Sequence, residues 1–227
     1  MNFFAVSENN ITEIAHFVSK ILNEGGLIIY PTSTLYGFGA SLSNKDGLHR
    51  INRIKNREAK KPQILLIKFE WISDYIANYE KYLPLLESLW PGPYTFLLPH
   101  KIKSPFEPDN LIAFRVSEHA FVNKTLEYIG DPISSTSVNR AGEKPLLKRK
   151  KIVDMYSDIA DAIVYEQKHL YLPFWNEKKV DDYFSPSTMI NAEHFPESVE
   201  IIRCGKADLS NIGRIFPNLK VIRSYEK

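Results

Sequence analysis

Two hydrophobic periodicities alternate along this chain, and the alternation limits it to one fold class. Ile11, Ile14, Ala15, Val18, Ile21 and Leu22 recur at helical spacing, predicting a helix over 11–23 with Asn10 as N-cap and Gly25 as stop. Leu27-Ile28-Ile29-Tyr30 follows as a short apolar strand halted by Pro31. A helix over 44–55 presents Leu48, Ile51 and Ile54 on one face, and Ile64–Ile67 is a continuous apolar run that suits a buried strand. Residues 71–89 read as helical in two pieces, broken near Pro84. Strands follow at 94–98 and 111–116, a helix at 118–129 and a strand at 132–136. Past Lys151 the pattern weakens to short strands at 162–165, 187–191 and 199–203 and a helix near 207–214. Helices alternating with strands make an α/β protein. No repeat and no linker rich in Gly, Ser or Pro divides the chain, so one domain over 1–227 is expected, with 166–186 as a loop or excursion.

Its 227 residues are enough to bury a sizeable core. Lys and Arg number 29 against 27 Asp and Glu, but the balance is uneven. Arg50–Lys61 holds six basic residues and one acid, and Lys144–Lys151 five basic residues and none. This excludes a wholly basic coat protein and an acidic disordered tail, and leaves a mildly acidic body with two basic segments that can meet an anion. The one cysteine, Cys204, forms no intrachain disulfide and reads as an inert thiol, and the six scattered histidines make no zinc pattern. The start lacks a signal-peptide pattern and no apolar run is long enough to span a membrane, so a cytoplasmic protein with no membrane role is expected.

Several segments carry polar chemistry. Pro31–Gly39 places hydroxyls and glycines at the end of a buried strand, where open α/β sheets bind ligands, although a polar capping turn would look the same. Lys55-Asn56-Arg57, with Lys60 and Lys61 behind, sits at a helix end, where cations favour the helix dipole; the same residues also make a phosphate clamp. Ser134–Asn139 is a run of hydroxyls and an amide that satisfies either its own loop or a polyoxygen ligand. Arg115, inside the apolar run Ile112–Val116, is costly to bury unless an internal acid or a ligand carboxylate meets it. Ser187 and Thr188 open one strand and Arg203 ends another. No Walker A loop, Rossmann fingerprint or Ser-His-Asp arrangement is present.

In this order the segments resemble the YrdC/Sua5 family, the threonylcarbamoyl-AMP synthases. The matching stretches are Pro31-Thr32-Ser33-Thr34-Leu35-Tyr36-Gly37-Phe38, Lys55-Asn56-Arg57, Trp90-Pro91-Gly92-Pro93-Tyr94-Thr95 and Phe114-Arg115-Val116-Ser117. They continue with Ser135–Gly142, Pro186-Ser187-Thr188-Met189 and Ile202-Arg203-Cys204-Gly205, so the resemblance covers about 10–205, leaving 206–227 as a tail. It implies a YrdC-like twisted, open mixed sheet flanked by helices around a large central cleft. The chain is similar to the short, single-domain form.

The implied reaction joins L-threonine, bicarbonate or CO₂ and ATP, with Mg²⁺, into threonylcarbamoyl-adenylate and pyrophosphate. Downstream transferase proteins then modify the tRNA adenosine beside the anticodon, and tRNA itself is a candidate partner. By the resemblance, Lys55, Arg57, Lys61, Ser137, Asn139, Pro145 and Arg203 would hold ATP, and Thr32, Thr34, Arg115, Ser135 and Ser187 threonine. No side-chain nucleophile is required, since positioning and charge neutralisation carry such a step. The chain departs from the family pattern at Ser33 (usually an acid), Asn56 (usually Gly), Glu58 (often Pro), Leu66 (His in some members), Ser117 (Pro) and Val138 (Ala). It keeps the KxR and SxN pairs that separate the synthases from the YciO-like branch. Two other readings are a module binding double-stranded RNA or tRNA without turnover, and a carbamoyl-adenylate transferase of the hydrogenase-maturation type, against which the single cysteine argues.

Overall fold

The structure is a computed structural model that describes residues 2–56, 63–102, 110–166 and 185–224. Its frame is one mixed sheet of eleven described strands in the order β1-β8-β2-β3-β7-β4-β6-β5-β9-β10-β11. These are β1 (Asn2–Val6), β2 (Ile28–Tyr30), β3 (Gly37–Ser41), β4 (Ile64–Leu66), β5 (Tyr94–Pro99) and β6 (Leu111–Arg115). The rest are β7 (Ile133–Ser137), β8 (Ala162–Glu166), β9 (Thr188–Asn191), β10 (Ser198–Arg203) and β11 (Lys220–Arg223). The helices are α1 (Ile11–Asn23), α2 (Lys45–Ile54), α3 (Ile72–Tyr75), α4 (Tyr79–Leu89), α5 (Ala120–Ile129), α6 (Arg149–Tyr156) and α7 (Ser210–Ile215).

Strands buried on both faces set the layers. Ile28 and Tyr30 of β2 join Ala162 and Val164 of β8 beneath α1 and α5. Their neighbours Leu27, Ile29 and Ile163 point the other way, into a core shared with α2 and α6. Alternation continues across the sheet: Leu66 packs toward α5, whereas Leu65 and Ile67 enter a third core with α3, α4 and α7. In the same period Ile112, Phe114 and Val116 face that third core, which leaves Arg115 on the opposite face. There, beyond α5, the face opens into a cleft.

Two expectations need correction, the Asn10 cap holds by position only, and three elements lie outside the expected pattern. Asn10 occupies the N-cap position of α1 but makes no capping bond there. Its Oδ1 accepts from Ser7 N at 2.7 Å and its Nδ2 donates to Ala5 O, tying the end of β1 to the helix. The helical break falls at Ile76–Asn78, not at Pro84, which lies inside α4. Ala77 N donates to Pro99 O and Lys101 N to Tyr75 O, so pairing with the end of β5 pulls the chain out of helix. Gly37–Gly39 is strand, not turn: β3 returns antiparallel to β2 through the loop 31–36. The basic run at 148–151 opens helix α6, and β1 and β11 add strands at the two edges of the sheet. The predicted excursion at 166–186 lies largely outside the described residues.

Gly39 shows how tightly β3 is packed. A Cβ there would stand 2.6 Å from Tyr30 Cε1, whereas one at Gly213, in α7, meets nothing within 4 Å. Gly39→Ala should therefore lower unfolding free energy by about 1–3 kcal/mol. Gly213→Ala should raise it by up to about 1 kcal/mol. Urea midpoints of the two variants check both signs.

Candidate functional site

The cleft has a volume of about 250 Å³. Thr32, Thr34 and Tyr36 reach it from the loop between β2 and β3, and Ser135 and Ser137 from β7. Arg115, Pro145, Ser187 and Arg203 line it as well. Eight of the twelve residues expected from sequence thus line one space.

Arg115 is the most constrained of them. It is 4 % exposed, and burial lowers its pKa to about 10; the nearby Glu118 charge raises it and Arg203 lowers it. Its contacts are neutral oxygens: Nε donates to Gly92 O at 3.1 Å, Nη1 to Thr34 Oγ1 at 2.9 Å and Nη2 to Ser33 Oγ at 2.8 Å. The Trp90–Pro93 turn is folded so that the Gly92 carbonyl reaches this guanidinium, with Gly92 N donating back to Val116 O. Five N–H donors less three leaves one on each Nη. Each can donate to an oxygen of a carboxylate or phosphate. Ser33, where the family has an acid, thus gives Arg115 a hydroxyl rather than a charge, and Glu118 is the nearby acid whose charge acts on it.

Arg203 lies beside this group rather than beside Lys55. Its Nε and Nη2 donate to Ser187 O at 3.1 and 2.9 Å, and Nη2 also reaches Ser187 Oγ at 3.2 Å. Burial lowers its pKa as well. Gly205 makes the approach possible, since a Cβ there would meet Pro186 O at 2.2 Å. Thr32 serves the loop itself. Its hydroxyl donates to Leu35 O at 2.6 Å and accepts from Leu35 N, which holds the loop in shape.

A second group is a chain of three polar residues, of which Ser137 lines the cleft. Lys55, 2 % exposed, donates from Nζ to Asn139 Oδ1 at 2.7 Å, and Ser137 Oγ donates to the same oxygen at 2.6 Å. Asn139 Nδ2 donates to the carbonyls of Arg140 and Glu143, each at 2.8 Å. Lys55 of the KxR pair and Asn139 of the SxN pair, 84 positions apart, are therefore in contact. Asn56 follows the C-cap of α2 with φ +44°, a left-handed position that glycine fills most easily and asparagine next. The departure from glycine there keeps the same backbone. Arg57, Lys61 and Glu58 lie outside the described residues.

Sequence reasoning passes over several contributors. Thr95 Oγ1 and Ser187 Oγ are 2.7 Å apart, Lys206 Nζ donates to Ser33 O at 2.7 Å, and Tyr30 donates to Ser135 Oγ at 2.8 Å. Thr95 stands in one of the matched motifs, and its place opposite the core residue Phe96 is the signal that could have found it. Nothing in the spacing marks Lys206. Leu66 and Met189 supply apolar wall. Among the described residues no cluster of His, Cys, Asp and Glu could hold a metal ion. Taken together, the wall offers N–H and O–H donors and buried positive charge, which suits a ligand with anionic oxygens at both ends.

The sequence model of the family described as Sua5_yciO_yrdC, Telomere recombination, matches residues 20–171. Among solved structures, Sua5 from P. abyssi complexed with L-threonine matches with a TM-score of 0.80 at 23% identity, over 97% of this chain and 62% of that one. E. coli YciO matches with a TM-score of 0.73 at 22% identity, over 93% of this chain and 99% of that one. Full-length HypF in a phosphate- and nucleotide-bound form matches at 0.64 and 18% identity, over 85% of this chain and 29% of that one. The chain thus spans about three fifths of the length of the Sua5 it matches. At these identities the likeness is one of fold: an open mixed sheet with flanking helices. Among the described residues no helix is long and apolar enough to cross a membrane.

Asn139 is the joint between Lys55, Ser137 and the following loop. Asn139→Ala should cost about 1–3 kcal/mol, because it removes the amide that a buried ammonium donates to. Chemical denaturation measures it, and Arg140→Ala, an exposed neighbour, should leave stability within about 0.5 kcal/mol.

Proposed function

The chain belongs to the Sua5/YciO/YrdC family, and from that premise we propose that it is a nucleotidyltransferase forming L-threonylcarbamoyl-adenylate and pyrophosphate from L-threonine, bicarbonate and ATP. The observation that carries this reading is Arg115: a buried guanidinium with two spare N–H groups, in the cleft that Ser137 of the Lys55–Asn139–Ser137 chain also lines. The Arg115 fork receives the threonine carboxylate, with Thr34, Ser135 and Ser187 around its remaining polar groups. Lys55, Ser137 and Asn139 meet the phosphates of ATP, with Arg57 and Lys61 from the adjoining segment, and Pro145 borders the nucleotide. Arg203, which lines the same cleft, would serve a further phosphate oxygen of ATP. The L-threonine in the P. abyssi Sua5 structure supports the choice of amino acid.

On this reading the threonine amine takes up CO₂ as a carbamate, and a carbamate oxygen attacks the α-phosphorus of ATP, displacing pyrophosphate. The protein positions the reactants and neutralises charge as pyrophosphate leaves. Mg²⁺ belongs to the reading as the companion of ATP's phosphates. The product would pass to transferase proteins that modify tRNA in the cytoplasm.

A YciO-like activity on another acid is the second reading, favoured by one observation: the chain matches E. coli YciO over 99% of that protein's length. Pyrophosphate release with each of the twenty amino acids separates the two. The synthase reading expects a strong preference for threonine that disappears without bicarbonate; failure with threonine selects the other. Within the synthase reading, Arg57→Ala should abolish turnover while the fold survives. Arg115→Gln should raise the KM for threonine at least about tenfold, the loss expected for hydrogen bonds to a charged group. Steep salt-dependent RNA binding with no nucleotide turnover would point instead to an RNA-binding module.

A further inference from the structure

Tyr30 lies outside every motif matched above. It pairs with Gly37 of β3, and Gly39 of the same strand pairs with Ser135 of β7. The tyrosine ring lies across β3, over two positions with no side chain, and its hydroxyl donates to Ser135 Oγ at 2.8 Å. A Cβ at Gly37 would stand 3.0 Å from Ser135 Oγ, and one at Gly39 2.6 Å from Tyr30 Cε1. The passage of the ring accounts for Gly39, and the Ser135 hydroxyl that the ring meets crowds Gly37. Burial pushes the Tyr30 phenol well above the usual tyrosine range, so it stays a neutral donor.

A serine hydroxyl that accepts a directed bond keeps its own proton to give elsewhere. Ser135 lines the cleft, and among the described residues its proton has no other acceptor. We propose that Tyr30 is a positioning residue that holds Ser135 as a hydrogen-bond donor toward an oxygen of the amino-acid substrate. The proposal rests on the reading above for the ligand it names. Tyr30 touches no substrate; it acts through Ser135, and without its hydroxyl the serine is free to turn and donate elsewhere.

Tyr30→Phe, Ser135→Ala and the double variant test this, each titrated by calorimetry with L-threonine and, separately, with pyrophosphate. Tyr30→Phe should weaken L-threonine about three- to tenfold, the range of one hydrogen bond. It should leave pyrophosphate affinity and the KM for ATP unchanged, and raise the KM for threonine with little change in kcat. In the Ser135→Ala background the same change should have no further effect on threonine. A merely structural tyrosine would instead lower the melting temperature without a threonine-selective loss. Wild-type protein that binds threonine but releases no pyrophosphate would remove the synthase reading while the affinity ratio still decides the role of Tyr30. Equal threonine affinity in wild type and Tyr30→Phe, absence of binding in both included, overturns the proposal. So does a loss that persists undiminished in the Ser135→Ala background.

Discussion

A guanidinium taken out of water has to be met on every side, and the cleft is organised around that demand at Arg115. Its placement follows from strand period alone: Phe114 and Val116 enter the core, so Arg115 faces the other way. Satisfying it recruits three separate groups: the Gly92 carbonyl of the turn before β5, and the Ser33 and Thr34 hydroxyls of the loop after β2. Those contacts are neutral, so burial is compensated only in part, and the lowered pKa records the remainder. A ligand carboxylate would add a negative charge to that of the nearby Glu118. The same residue thus fixes the shape of the site and its preference for anions.

The second organising device is the exchange of hydrogen-bond roles around the wall. Lys55 and Ser137 both donate to one oxygen of Asn139, whose amide in turn holds the loop at 140–143. Ser187 accepts from Arg203, and Ser33 lends its carbonyl to Lys206. Strands β9 and β10 are tied in this way to the β2–β3 loop, although 173 positions separate Ser33 from Lys206. Two edges of the cleft are fastened by side chains rather than by the sheet ladder.

Much of this is legible in the residues. Helix α1 begins and ends where its apolar spacing predicts, because a 13-residue amphipathic stripe has one good orientation on a sheet. The differences have local causes. Gly37 and Gly39 look like turn residues, yet they lie in β3, where the Tyr30 ring leaves no room for a Cβ at Gly39 and the Ser135 hydroxyl crowds one at Gly37. Pro84 looks like a helix breaker, yet α4 carries it and the chain breaks where Ala77 is drawn to β5. Helix α6 starts on a run of basic residues, against the usual preference for acids at a helix N-terminus, which hides its start from pattern reading.

The sequence by itself determined the α/β class, the family and the residue types of the site. Those properties follow from hydrophobic period and from motif order, both of which are written along one dimension. Tertiary structure alone decided which hydroxyls are spent on the protein and which remain for a ligand. It showed Thr32 committed to its own loop, Arg203 beside Ser187, and Ser135 held by Tyr30. The physical reason is that a hydrogen bond is settled by distance and direction in space. Tyr30 and Ser135 are 105 residues apart in the chain and 2.8 Å apart between oxygens, and no one-dimensional pattern records that.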